Sequence, residues 1–285
     1  MSSNFMEYHR PKSWTNALEI LRRSEVNSQP LQVGPRPEAL SDWGAEAVVD
    51  LSQLDLSYIK REGEKVLMGT MTPLQELAES ELLHSIAGGV LAQAAHLAAP
   101  LGLRNLAVLG GAVTSPAGPS EIVLALLALD ASVVIRSGEN QSSEKPLAEF
   151  LAGDAQLQRG EVLAEVRFPV VSAATSGYLA RVARTPRDEA IVAAIAVIQA
   201  EGNKAQRVRL AVAPSSAQRQ RMEPVEKLLE GQAFTPQQLE KAATAVKEQV
   251  NPTGDYRGSV EYRREMSGVL AQRALQMAWK IASGS

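Results

Sequence analysis

Residues 103–111 read LRNLAVLGG, an apolar run that ends in two consecutive glycines. Residues 106–111 are predicted to form a strand that runs into a double-glycine turn. Because glycine permits positive φ and a close approach of the backbone, such a turn can present consecutive N–H groups to a pyrophosphate. Glycine turns at strand ends are common, so this stretch by itself is a weak sign of a nucleotide site.

A second glycine-containing loop, LQVGPRP, occupies residues 31–37. It follows a predicted helix that Ser13 caps and precedes a short predicted strand at residues 47–51. Proline has no N–H, so Pro35 and Pro37 remove donors from a loop that would otherwise cradle a diphosphate. Arg36 can offset that loss by pairing with phosphate, although an ordinary surface charge is an equally good interpretation.

Composition excludes several classes of function. The chain has 285 residues, 45% of them hydrophobic, a net charge of -3 and no cysteine. Its length predicts two packed units, and its mixed charges predict no nucleic-acid partner. Without cysteine, this polypeptide can hold no disulfide, no cysteine-ligated zinc and no iron–sulfur cluster.

Neither a catalytic side-chain constellation nor a metal site is predicted. The three histidines, His9, His84 and His96, do not share a metal-ligand spacing with other ligand types. The first ten residues lack the apolar region of a signal peptide, and polar residues interrupt the apolar stretch 86–113. We therefore expect a cytoplasmic protein without membrane insertion.

The pattern of secondary structure changes near residues 171–176. Before this point the chain reads as a β-α-loop-β opening followed by mixed helices and strands, including a helix at residues 84–99 and a helix that Thr72 caps. After it, three strands are predicted at residues 178–182, 191–200 and 208–213, and two helices at 235–250 and 259–281. The last helix is predicted to bury one apolar face, formed by Met266, Val269, Leu270, Met277 and Ile281.

Seven stretches of the chain, in order and spacing, resemble the flavoprotein medium subunit of molybdenum hydroxylases, the xanthine and carbon monoxide dehydrogenase family. They are FMEYHRPKSW (5–14), VDLSQLDLSYI (49–59), LRNLAVLGG (103–111), PSE (119–121), GEVLAEVRFP (160–169), YLARVARTPRDEA (178–190) and DYRGSVEYRR (255–264). Together they cover nearly the whole chain, and the tail motif makes the resemblance specific.

The resemblance implies an α+β fold with two domains. A two-subdomain FAD-binding domain of the PCMH type, similar to vanillyl-alcohol oxidase, is expected at residues 1–172, with subdomains of about 1–55 and 56–172. A small α+β domain with an antiparallel sheet and helices is expected at 173–285. In this family FAD lies between the parts of the N-terminal domain, with its isoalloxazine facing the C-terminal domain.

The same resemblance implies the function and its partners. The chain is expected to bind FAD and to pass electrons from a [2Fe–2S] small subunit to an external acceptor, in a complex with a molybdopterin large subunit. This agrees with the absence of cysteine. The residues carried over as cofactor-binding are Val33, Gly34, Pro35, Arg36, Val108, Gly110, Gly111, Glu121, Leu163 and Arg181.

Both phosphate loops depart from the family pattern. Residues 32–36 stand where the family has Ala-Gly-Gly-Thr-Asp or a close relative, and Val108 and Ala112 replace Thr and Asn. Ala180 stands where lysine is frequent, although Arg181 can supply the charge. A flavin-free homologue with a structural or assembly role is therefore the alternative hypothesis, and a cleft that binds another small ligand is a distant third.

Overall fold

The computed structural model describes residues 6–34, 44–115, 120–153, 157–185, 188–215 and 218–284. Eleven α-helices and twelve strands are found within these residues. In chain order they are β1 Glu7–His9, α1 Trp14–Arg22, β2 Ser28–Pro30, β3 Ala47–Val49, β4 Ile59–Glu62, β5 Lys65–Gly69, α2 Leu74–Glu79, α3 Glu81–His84, α4 Val90–Leu97, α5 Leu101–Arg104, α6 Leu109–Thr114, α7 Ser120–Ala128, β6 Ser132–Arg136, β7 Ser142–Pro146, α8 Leu147–Ala152, β8 Val162–Pro169, β9 Thr175–Val182, β10 Val192–Glu201, β11 Lys204–Ser215, β12 Gln218–Arg221, α9 Glu223–Leu229, α10 Pro236–Gln249 and α11 Val260–Ser283.

The first of two compact units comprises residues 1–76, 101–118 and 130–169. A parallel sheet in the order β1-β3-β2 packs beside α1, whose Ser13 cap accepts a hydrogen bond from the N–H of Asn16. The predicted apolar face of α1 is confirmed, because Ala17, Leu18 and Leu21 are buried. The second sheet of this unit is antiparallel, in the order β4-β5-β8-β6-β7, and its two edge strands are polar and exposed, which discourages pairing with other chains.

The second unit comprises residues 77–100, 119–129 and 170–285. Its four strands are antiparallel in the order β12-β11-β10-β9, and Gly202, with φ of 60°, forms the predicted turn between β10 and β11. Alternate residues of β10 face opposite sides. The side chains at 192, 194, 196 and 198 pack in a core with α10 and α11. Helix α7, which precedes this sheet in the chain, packs against β10, β11 and β12.

The predicted strand at residues 106–111 is wrong. Helix α5 ends at Arg104, Val108 forms an isolated bridge with Pro73, and α6 begins at Leu109. The N–H groups of Leu109 and Gly110 donate to the carbonyls of Thr72 and Thr70. These distant carbonyls satisfy the first turn of α6, which local sequence could not reveal.

Two helix predictions also need correction. The predicted helix at residues 84–99 is interrupted at Ala87–Gly89, where all three residues have positive φ. The hydroxyl of Thr72 does not cap α2, because it bonds to both backbone groups of Tyr58 instead.

The predicted apolar face of α11 is only partly buried. Val269 is 41% exposed and Ile281 is 52% exposed, although Leu270 is buried as predicted. A Cβ at Gly268 would lie 2.9 Å from the carbonyl oxygen of Ala243 in α10. The close packing of α11 on α10 therefore selects a stripe of small residues, and the larger apolar side chains lie beside it.

Arg263 is a fully buried cation near the start of α11. It is 1% exposed, and its guanidinium donates to the carbonyls of Gly258, Ile191 and Pro214 and to the carboxylate of Asp255. A buried charge requires a counterion and satisfied donors, and this arrangement supplies both. Arg263 therefore joins the loop before α11 to the ends of β10 and β11.

Asp255 is the anion of this cluster. Desolvation raises its pKa. Hydrogen bonds from the Arg263 side chain and from the backbone and side chain of Arg257 lower the pKa by more than this, and the resulting pKa is about 2. The group is therefore ionised in the folded protein at a pH where it would be protonated in the unfolded chain. Its contribution to stability is present above the unfolded pKa and is lost as the pH falls toward 2.

We predict that Asp255→Asn flattens the acid limb of the stability curve. Because the folded-state pKa of Asp255 is depressed, the parent protein should lose stability between about pH 5 and pH 2.5 more steeply than the variant. Urea unfolding at several pH values, followed by circular dichroism, measures this difference. Parallel curves for the two proteins would contradict the assigned role of Asp255.

Candidate functional site

The two glycine-containing segments meet in the first unit. The N–H of Val108 donates to the carbonyl of Val33 over 2.9 Å. A Cβ at Gly111 would lie 2.5 Å from the carbonyl oxygen of Gln32, from the carbon of Val33 and from the nitrogen of Gly34. Real Cβ atoms do not approach backbone so closely, so only glycine allows this contact.

Gly110 and Gly34 reinforce the contact. A Cβ at Gly110 would lie 2.6 Å from the side-chain amide carbon of Gln32, and one at Gly34 would lie 3.2 Å from the carbonyl oxygen of Gly111. Both glycines of the second segment are buried. The predicted site residues Val33, Gly34, Val108, Gly110 and Gly111 are thus brought together, whereas Pro35 and Arg36 lie outside the described residues.

Most N–H groups of the second segment already have acceptors. Those of Val108, Leu109, Gly110 and Ala112 donate to the carbonyls of Val33, Thr72, Thr70 and Val108. Among residues 108–112, the N–H of Gly111 is the donor that takes no part in these four bonds. The second segment therefore contributes mainly a close backbone approach.

This arrangement fits a dinucleotide. The glycines let the two segments touch each other, and the second segment lies at the beginning of a helix, where backbone N–H groups can face a pyrophosphate. Because the second segment has few uncommitted donors, the first segment has to supply more of the phosphate hydrogen bonds.

Leu163 contributes its backbone rather than its side chain to this region. The side chain is fully buried, and the carbonyl accepts hydrogen bonds from the amide of Gln32 and the hydroxyl of Thr70. The sequence pointed to Leu163 as a site residue but not to Gln32 or Thr70. A polar side chain next to a glycine loop gives no local sign that it will be buried.

Glu121 and Arg181 meet in the second unit. Arg181 Nε lies 3.2 Å from Glu121 Oε1, and the two side chains are 12% and 2% exposed. The Arg181 guanidinium also donates to the carbonyl of Asp188. Both residues were predicted to bind the cofactor, and the structure shows that they form one buried ion pair.

A cavity of about 450 Å³ lies along β9, again within the second unit. In the described sheet β9 has a neighbouring strand on one side only. Three arginines contribute to its lining, together with Tyr178 and Gln93; the arginines are Arg181, Arg184 and Arg273. The cavity suits a planar or anionic group, because aromatic and guanidinium surfaces both contact such groups well.

Within the described residues, no helix combines the length and apolar character needed to cross a bilayer. In the same part of the chain, no three histidine, aspartate or glutamate side chains are grouped so that they could hold a metal ion.

Two protein families match the chain. The family described as "FAD binding domain in molybdopterin dehydrogenase" matches residues 3–171. The family described as "CO dehydrogenase flavoprotein C-terminal domain" matches residues 178–278. The two matches follow one another along the chain in the order that the sequence resemblance predicted.

Several characterised proteins are similar along nearly their whole length. The carbon monoxide dehydrogenase medium chain of Hydrogenophaga pseudoflava is 28% identical over 280 residues, which cover 96% of both chains. The glyceraldehyde dehydrogenase medium chain of Sulfolobus acidocaldarius is 26% identical and covers 94% of this chain and 96% of its own. A solved carbon monoxide dehydrogenase structure from Hydrogenophaga pseudoflava, which lacks the Mo-pyranopterin moiety, superimposes with a TM-score of 0.88 at 27% identity, covering 98% of this chain and 99% of its own.

We predict that Gly111→Ala separates the two glycine segments. The new Cβ would overlap three backbone atoms, so the variant should lose about 1–3 kcal/mol or more in the free energy of unfolding. Gly102→Ala is the matched control, because nothing lies within 4 Å of its Cβ position. In helix α5 that change should be neutral or stabilise by up to about 1 kcal/mol.

Urea unfolding of both variants measures the difference. A Gly111→Ala protein as stable as Gly102→Ala would show that the backbone contact is not needed for the fold of the first unit.

We also predict strong energetic coupling between Glu121 and Arg181. Removing either charge leaves the other buried, which should cost about 3–5 kcal/mol, whereas Glu121→Gln combined with Arg181→Met should recover part of that loss. The exposed pair Lys247 and Glu265 is the control, and its coupling should stay below about 1 kcal/mol. Additive effects at Glu121 and Arg181 would contradict the buried ion pair.

Proposed function

The chain belongs to the FAD-binding family of molybdopterin dehydrogenases, with the C-terminal domain of carbon monoxide dehydrogenase flavoproteins, and we propose that it relays electrons through FAD from an iron–sulfur subunit to an external acceptor. It is the FAD-binding medium subunit of a molybdenum-containing dehydrogenase or hydroxylase complex. The observation that best supports this function is the backbone contact between Gly111 and residues 32–34.

The residues proposed to hold FAD come from both glycine segments and from three other positions. Gly34, Gly110 and Gly111 permit the close approach of backbone, and Arg36 supplies a cation for phosphate. The full proposed set is Val33, Gly34, Pro35, Arg36, Val108, Gly110, Gly111, Glu121, Leu163 and Arg181. Within it, the carbonyl of Leu163 anchors Gln32, which adjoins Val33.

When bound, FAD supplies the redox chemistry, because it can exchange electrons both singly and in pairs. The protein supplies binding, orientation and a defined charge. Glu121 compensates the charge of Arg181, so the pair adds little net charge to its surroundings. No side chain of the described residues is assigned to acid–base or nucleophilic catalysis.

The proposed partners follow from the relatives and from the composition. Relatives are named as medium or other subunits of dehydrogenases, which supports a multi-subunit assembly. We propose a [2Fe–2S] small subunit and a molybdopterin large subunit in a cytoplasmic complex, since this chain contains no cysteine to ligate a cluster. We also retain residues 1–172 and 173–285 as the proposed domain limits.

The flavin-free alternative has no observation in its favour. Its motivation was the substituted first loop, of which residues 35–37 lie outside the described structure. The described part of that loop keeps the backbone contact with Gly111.

We predict that the purified chain, alone or with its partner subunits, binds FAD saturably. Quenching of FAD fluorescence and absorbance in the flavin band measure the dissociation constant. The double change Val33→Gly with Pro35→Thr restores the family's residues and at least one phosphate donor. It should tighten FAD binding by roughly 10- to 100-fold, since one hydrogen bond to a charged group contributes about 1.5–3 kcal/mol.

FAD binding by the parent tests the proposed function, and the effect of the double change tests the role of the first loop. A chain that never quenches FAD, even within its complex, would overturn the proposed function. A folded Val33→Gly, Pro35→Thr variant that binds FAD no more tightly than the parent would show that donor loss in the first loop is not what limits binding.

A further inference from the structure

Gln32 is a buried amide at the base of the first glycine segment. Its side chain is 4% exposed, and Nε2 donates to the hydroxyl of Thr70 over 3.0 Å and to the carbonyl of Leu163 over 2.9 Å. A buried polar side chain is costly unless it is hydrogen-bonded, and here both amide protons have acceptors. The conformation of Gln32 is therefore well defined.

Thr70 connects Gln32 to the second segment. Its hydroxyl donates to the carbonyl of Leu163 over 2.7 Å, and its own carbonyl accepts from the N–H of Gly110 over 2.8 Å. Thr70 directly follows β5, and Leu163 lies in the neighbouring strand β8. The five-stranded sheet thus holds both glycine segments through a single residue.

Gln32 also contacts the second segment by packing. Its amide group fills the space beside Gly110, where a Cβ would lie 2.6–2.8 Å from the three terminal atoms of the side chain. Its carbonyl oxygen lies 2.5 Å from the Cβ position of Gly111. Gln32 therefore fixes the position of the first glycine segment relative to the second.

We propose that Gln32 is a positioning residue that holds the two glycine segments in the FAD-binding geometry before the cofactor arrives. This inference rests on the proposed function. Residue 32 matches the alanine that begins the family's first loop, and an alanine side chain could form none of these hydrogen bonds. A segment fixed in advance loses less conformational freedom on binding, which partly offsets the missing phosphate donors.

The test compares variants that break the network with one that destabilises the same unit elsewhere. Gln32→Leu keeps the approximate size but removes both hydrogen bonds, and Thr70→Val removes the hydroxyl from the other end. Thr70→Ser, which retains the hydroxyl, is the conservative variant. Leu147→Ala is the matched control, because Leu147 is fully buried in α8, which packs on β6 and β7 away from both glycine segments.

Two readouts are needed. The FAD dissociation constant should rise about tenfold or more in Gln32→Leu and in Thr70→Val. The double variant should bind FAD no more weakly than either single variant. The FAD dissociation constant of Thr70→Ser should stay within about threefold of the parent value. That of Leu147→Ala should do the same, although this variant loses about as much stability as the network variants. In the cofactor-free protein, amide hydrogen exchange at residues 108–112 should accelerate in the two network variants relative to β8.

The outcomes separate the two proposals. A parent protein that does not bind FAD, alone or within its complex, overturns the proposed function. A parent that binds FAD, with network variants that match Leu147→Ala in affinity and exchange, overturns the role of Gln32 and leaves the function standing. If Gln32→Leu does not fold, Thr70→Val and Thr70→Ser decide the matter by the same criteria.

Discussion

The first unit depends on the absence of a side chain at Gly111. Backbone atoms of residues 32–34 pass within 2.5 Å of the position that a Cβ would occupy there. This contact brings the segment after β2 against the first turn of α6. The hydrogen bond from Val108 to Val33 and the bonds from Leu109 and Gly110 to Thr72 and Thr70 accompany it.

The two glycine segments show most clearly what could and could not be predicted from the sequence. The glycines and the family motif identified both segments, and the structure brings them into contact where glycine is required because backbones touch. They did not identify the helical start at Leu109, since its N–H groups are satisfied by carbonyls far away in sequence. For the same reason the family motif gave no sign that the second segment would contribute few donors.

The second unit shows the same limit for buried charges. The helices at residues 235–250 and 259–281 and the strands after Pro169 could be predicted from local patterns, and the structure confirms them. The pairing of Glu121 with Arg181 could not, because 60 residues separate two charges that spacing alone would place on the surface. The face of α11 was misjudged because hydrophobic periodicity ranks large residues first, whereas the contact with α10 at Gly268 requires small ones.

Rigidity and donor number act differently on cofactor affinity. A hydrogen bond between neutral groups contributes about 0.5–1.5 kcal/mol, and one to a charged phosphate contributes about 1.5–3 kcal/mol. The two bonds of the Gln32 amide can therefore offset about one lost phosphate donor, not several. If the first loop has lost more than one donor, the remaining affinity must come from other contacts. Partner subunits that bind the flavin-loaded form more tightly than the empty form would supply it by linkage, so FAD affinity in this chain should depend on assembly.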